Sequence, residues 1–242
     1  MDNGKENTLI EHIEALRRML WWMIAATTVL YPLAYFLVPY AIRLLVQWCF
    51  PPEMGKLHYF SPMEVFWVQL KLAFVLSLVL AYPWNIWQLW RFLLPALYKN
   101  ERFALGWGIL FSTTLFFAGV GFCVWLILPL LMRFATGFAS TELQPIIGLA
   151  SFLNLAGWLM LAFGLMFQTP VLVLLLVRFG VVKASALAAK RPYVIVGILV
   201  LSALLTPPDV VSQVMLGLPT WLLFELGLLL ARFVEKTSDQ NL

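Results

Sequence analysis

Glu101 is the only acid among Arg91, Lys99 and Arg102 in the stretch WRFLLPALYKNER, residues 90–102, with Phe92 and Tyr98 close by in sequence. A carboxylate beside apolar surface can hold a guanidinium through two parallel N–H bonds, which a neutral side chain cannot match. The same spacing permits internal pairing with Arg102 or Lys99, and spacing alone favours that reading. Gln168, in AFGLMFQTP, is an amide in the middle of an apolar run, and Pro170 weakens the helical ladder just after it. Such an amide needs a partner, within its own bundle or on another membrane helix. Glu64 and Lys71 in SPMEVFWVQLK share a helix face about 10 Å apart along the axis, so direct contact is not expected. Lys71 can face protein or snorkel to the nearby boundary. Asp209, in TPPD, can cap the helix that starts at Val210.

Catalytic constellations find no support. The chain has neither a G-x-x-x-x-G-K-[ST] phosphate loop nor H-E-x-x-H, and its two histidines, His12 and His58, fall on opposite sides of the membrane. Cys49 and Cys123 lack metal-ligand spacing, so no metal or cofactor is expected. An intramembrane Ser or Asp protease would need a paired base or a second aspartate at midplane depth, and neither is visible.

The elements that must position these residues follow from composition. Of 242 residues, 62% are hydrophobic and 12% charged, with mean hydropathy +0.90; a soluble domain runs nearer a quarter charged. No charge occurs in 103–132 or in 143–177, each far longer than the roughly 18 residues that suggest a spanning helix. Lipid leaves no unpaired backbone group satisfied, and the alternation of a barrel strand is absent, so the fold class is all-α and polytopic.

Six apolar segments emerge, at 21–46, 62–94, 103–132, 151–179, 193–206 and 210–231. Lys5, Arg17, Arg18, Arg91, Lys99, Arg102, Arg178, Lys183, Lys190, Arg191, Arg232 and Lys236 fall on one side, against Arg43, Lys56 and Arg133 on the other. The positive-inside bias places both termini in the cytoplasm, and the net charge of +4 needs no nucleic-acid partner. The organisation is an amphipathic cytoplasmic segment (1–20), a six-helix membrane domain (21–231) and a cytoplasmic tail (232–242). In the first, Thr8 and Glu11 have capping-box spacing, and Leu9, Ile13, Leu16 and Leu20 recur at helical intervals. It lies along the interface or is a solvated helix that sets topology. The run after it is too long for a cleavable signal core and is expected to be a retained anchor.

The last two helices should be short. Residues 193–206 make about 21 Å of helix against a hydrocarbon thickness of about 30 Å. Their partner segment is interrupted by Gly217 and Pro219, and its uncharged stretch ends at Glu225. Thinning of the bilayer or re-entry would bring Asp209 nearer the midplane than an ordinary loop.

SPMEVFWVQLK, YPWNIWQLWRFLLPALYKNER, KRPYVIVG and TPPDVVSQVMLGLP followed by FELG resemble, from the first segment to the last, the TatC family, the polytopic core of the twin-arginine protein translocase. The resemblance implies six helices with cytoplasmic ends in the cell inner membrane. It also implies a non-enzymatic subunit that receives folded cargo through paired-arginine signal peptides. Small single-span subunits of the TatA and TatB type, self-association in a receptor complex and the proton gradient complete the implied scheme. Carried over by motif, Glu101, Phe92, Gln88 and Pro83, with Arg17, form the signal-binding set, and Glu14 joins it as a stand-in for the acid that the pattern puts one residue later. Gln168, Asp209, Ser212, Gln213, Glu225, Glu64 and Lys71 are structural or partner-facing. Two departures stand out. Against the family pattern H-L-x-E-L-R-x-R, this chain reads HIEALRRM, which puts Ala15 at the acid and Met19 at the second arginine. Glutamine at 168 stands where many members have glutamate, and it cannot titrate. The alternative from another class is a secondary transporter of a small solute, which would converge Gln168, Lys71 and Asn154 on a closed midplane cavity.

Overall fold

Prolines and glycines decide where this apolar chain departs from straight helix. The computed structural model describes residues 3–50, 57–93, 102–137, 146–205 and 210–239. Glu101 and Asp209 lie outside them.

Helix α1, Asn3–Cys49, runs unbroken through the polar start and the first span, with Pro32 and Pro39 inside it. The amphipathic segment expected at 1–20 is therefore continuous with the first span from Asn3 onward. From Lys5 to Trp21 the chain has neither glycine nor proline, so the change in polarity there does not interrupt the backbone ladder.

Helix α2, Pro62–Leu93, begins on a proline, whose missing N–H falls where none is needed. Glu64 Oε2 accepts the Phe60 backbone N–H at 2.9 Å, capping the entry. Glu64 is thus a local cap, no ion pair joins it to Lys71, and Lys71 is exposed.

The third pass is α3, Arg102–Phe122, then a π-helical turn, Cys123–Ile127, then α4, Leu128–Thr136. The widened turn lies just ahead of Pro129, whose ring would otherwise crowd the carbonyl of Trp125.

The fourth pass breaks as its proline predicts: α5, Leu149–Met166, stops and α6, Thr169–Arg178, starts with Pro170 in its first turn. A Schellman closure ends α6, with Gly180 at φ 67°. Gly180 N–H bonds the Val177 carbonyl at 2.9 Å, and Val181 N–H bonds that of Leu176 at 3.1 Å. After the short α7, Ala184–Ala189, come α8, Arg191–Leu205, and α9, Val210–Asp239.

Five of these passes are long and apolar enough to cross a membrane, and the 15-residue α8 is the shorter sixth. Helix α9 corrects one expectation. It continues through Gly217, Pro219 and Glu225 for 30 residues, with an apolar span at Ser212–Phe233. Only its charge-free part is short.

The larger buried cluster joins α1, α2, α4 and α5 through Leu45, Leu72, Leu128 and Phe152, each at most 3% exposed. It lies away from the basic end, the end that carries Arg17, Arg91, Arg178 and Arg191. There His58 N–H bonds the Ile147 carbonyl and Leu149 N–H the His58 carbonyl, at 3.1 and 2.7 Å, tying two connections together. A smaller cluster holds α6, α8 and α9 through Val177, Ile198, Phe224 and Leu228. Val29 is 76% and Phe36 74% exposed, as lipid-facing side chains should be.

Candidate functional site

Toward the basic end, a cavity of about 380 Å³ opens between α1 and α2. Helix α1 lines it with Ala15, Arg18, Met19 and Trp22, spaced as one helical face. Helix α2 presents Trp84, Trp87, Gln88, Arg91 and Phe92, again one face. Two sequence-named site residues, Gln88 and Phe92, therefore meet here, Gln88 buried and Phe92 half-buried.

The other named members of that set are placed differently. Glu14 and Arg17 are exposed and do not line the cavity, because one residue along a helix turns a side chain by about 100°. Ala15 occupies the cavity-facing position in place of a carboxylate, and Met19, 8% exposed, packs into the same wall. Pro83 is half-buried inside α2, next to the lining Trp84. Glu101 falls beyond the described end of α2.

Gln168 sits at the α5–α6 break, and its Nε2 donates to the Ser112 carbonyl of α3 at 3.0 Å. Trp90 Nε1 of α2 donates to Ser112 Oγ at 3.3 Å, so Ser112 ties three passes together. Gln168 Oε1 and Asn85 Oδ1 are buried without a hydrogen-bond partner among the described residues. Both residues border an apolar groove of about 470 Å³, together with Tyr82, Leu165 and Leu175. Tyr82 stacks on Phe116 with ring centroids 3.6 Å apart. Lys71 and Asn154 are exposed and line neither this groove nor the cavity, so Gln168, Lys71 and Asn154 do not converge and the small-solute alternative is not favoured.

The α8–α9 pair gathers three more named residues. Arg191 Nη2 donates to Glu225 Oε2 at 2.7 Å. Arg191 Nε lies 2.7 Å from Glu225 Oε1 without its N–H aimed along that line, so this second contact is coulombic. Gln213 Nε2 donates to the Leu199 carbonyl at 3.0 Å, and Ser212 is buried. Arg191 counts toward topology in the sequence, but its pairing with Glu225 depends on the packing of two helices 34 residues apart. Ser112 lies in no quoted motif, and Arg18, Trp84 and Trp87, although inside quoted stretches, are not singled out there. The sequence signal that could have found the last three is their recurrence at helical spacing beside the named residues.

The sequence model of the family described as Sec-independent protein translocase protein (TatC) matches residues 11–219. The chain belongs to the TatC family. It is 36% identical over 245 residues to the Sec-independent protein translocase protein TatC of Haemophilus influenzae, covering 100% of this chain and 95% of the relative. The Escherichia coli K12 TatC is 37% identical over 232 residues, covering 93% of this chain and 88% of the relative. A crystal structure of the twin-arginine translocase receptor TatC superposes with a TM-score of 0.83 at 30% identity, covering 91% of this chain and 99% of that one. This TatC-family chain is thus a polytopic helical membrane protein of a Sec-independent protein translocase family, and both the sequence resemblance and the expected fold class hold.

Proposed function

We propose that the protein is the signal-peptide receptor of a twin-arginine translocase, working from the cytoplasmic face of the cell inner membrane with both termini in the cytoplasm. The observation that carries this reading is the cavity at the basic end of α1 and α2, where Gln88 and Phe92 line one wall. Chain order places Glu101 nine residues beyond Phe92, between Lys99 and Arg102. A carboxylate there would take a guanidinium pair in bidentate fashion, while Phe92 offers apolar surface to the segment that follows the arginines. The name of the solved relative, a twin-arginine translocase receptor, supports the same reading.

In this reading Glu14 and Arg17, exposed on α1, border the approach of the peptide, and Pro83 sets the direction of α2 beneath it. Gln168, Ser212, Gln213 and Glu225 hold helices in register or meet small single-span TatA- and TatB-type subunits, with the proton gradient driving passage of folded cargo. Copies of the chain associate in the receptor complex.

The deciding experiment crosslinks an arginine-pair signal peptide to a photoreactive residue at position 92, in the otherwise native chain and with Glu101→Ala. Crosslinking should fall at least several-fold in the variant and when lysines replace the peptide's arginines. Undiminished crosslinking in both arms would remove Glu101 from the role.

A further inference from the structure

We propose that the cavity between α1 and α2 is a binding site for the headgroup of an anionic phospholipid of the leaflet at the basic end.

Charge is the first argument. Arg18 and Arg91 project into one cavity from opposing helices, and among the described residues no carboxylate lies within ion-pair distance of either guanidinium. Two like charges converging at a low-dielectric boundary repel one another unless an anion lies between them. A phosphodiester supplies that anion, with non-bridging oxygens that match the planar donors of arginine.

Polarity along the cavity then selects a lipid over a soluble anion. Helix α1 enters the apolar region as its numbering rises, and the antiparallel α2 leaves it. Arg91 and Arg18 therefore lie nearer the polar end, while Trp22 and Trp84 lie nearer the membrane interior. An amphiphile has this same order, headgroup first and chains after. Trp22 is 54% and Trp84 40% exposed, and indoles at such a depth present an apolar ring to acyl chains and an N–H to the glycerol region. Basic pockets between membrane helices on the cytoplasmic side accept anionic headgroups for these reasons.

The cavity chemistry also argues against a cationic occupant. The arginines of a signal peptide would meet Arg18 and Arg91, so they must find their carboxylate outside this cavity. A phosphate seated here removes part of the positive field they would otherwise meet on approach. The lipid site stands whether or not the signal-peptide reading does, because its test contains no peptide.

The test uses the full chain in nanodiscs made from equal parts phosphatidylglycerol and phosphatidylcholine. Native mass spectrometry then counts the lipids retained on the ejected protein. Phosphatidylglycerol should be enriched about tenfold over phosphatidylcholine. Arg18→Gln with Arg91→Gln should abolish most of that enrichment, and Arg18→Lys with Arg91→Lys, which keeps the charge but not the planar fork, should keep an intermediate share. Arg43→Gln, at the opposite end, should change nothing. Thermal unfolding of each variant reports whether the fold is intact, and the lysine pair guards against misfolding of the glutamine pair. Equal retention of both lipids, or enrichment that survives the glutamine pair, overturns the site. Displacement of the lipid by millimolar glycerol phosphate would identify a soluble-anion site instead and equally overturn the proposal.

Discussion

Arg191 and Glu225 form a two-point contact across α8 and α9: Nη2 donates to Oε2 at 2.7 Å, and Nε lies 2.7 Å from Oε1. The carboxylate is 23% exposed and the guanidinium 43%, so the pair sits at a boundary and is neither fully wet nor fully dry. This contact explains why α9 continues past Glu225, where its uncharged stretch ends. An unpaired carboxylate in an apolar run is costly enough to end a span, and a neutralised one is tolerated.

Removing one partner should therefore be worse than removing both. Arg191→Leu leaves a carboxylate partly buried and unpaired, and we expect a loss of about 1–3 kcal/mol, between the values for exposed and buried pairs. Arg191→Leu combined with Glu225→Leu should recover most of that loss. Thermal unfolding of the purified variants in detergent measures the coupling. Additive losses would mean that the two groups do not support one another.

Close helix approach gives a second expectation. A methyl added at Gly227 of α9 would meet Pro170 Cα at 2.7 Å and its carbonyl oxygen at 3.2 Å, both backbone atoms that cannot swing aside. Gly227→Ala should cost about 1–3 kcal/mol by forcing α6 and α9 apart. Gly197 of α8 has nothing among the described residues within 4 Å of the same added atom. Gly197→Ala should be neutral or stabilising by up to about 1 kcal/mol. Comparing the unfolding temperatures of the two variants checks both the contact and its absence.

Much of this architecture is legible along the chain, because membrane helices are written as long uncharged runs and their breaks as prolines. The break beside Gln168, the short α8 and the basic residues at alternate connections all follow from local sequence. The rest depends on register between helices. Arg191 and Glu225 are 34 residues apart, and nothing in either segment states that the start of α8 faces the middle of α9. Ala15 and Arg18 face Trp84 and Arg91 for the same reason, through the rotation of two helices about their axes. The boundary expected near residue 20 is of another kind: it follows polarity and leaves no mark on the backbone, because α1 meets no breaker there.

The amide at 168 should prove nearly neutral for stability. Gln168 Nε2 gains a bond to the Ser112 carbonyl, but its Oε1 is buried without a partner among the described residues, so one favourable and one unfavourable contribution offset each other. Gln168→Leu fills similar space and removes both, and we expect a change within about 1 kcal/mol. Transport of a folded reporter measured beside unfolding then separates two roles. Lost transport with unchanged stability would mark the amide as a partner contact. Loss of both would make it a packing device tied to Ser112.

Ala15 offers the sharpest test of how charge is arranged at the basic end. It lines the cavity, whereas the exposed Glu14 does not. Ala15→Glu would place a carboxylate three residues from Arg18 on the same helix face, within the reach of an ion pair. That carboxylate competes with a phosphate for Arg18 and lowers the positive field over the cavity. Phosphatidylglycerol enrichment should therefore fall while an arginine-pair signal peptide binds several-fold more tightly, read by fluorescence anisotropy of a labelled peptide. Glu14→Gln removes the same charge from an outward-facing position and should shift both quantities less than Ala15→Glu does. Equal shifts of opposite sign from the two substitutions would mean that net charge alone governs binding and that the cavity-facing position has no special part in it.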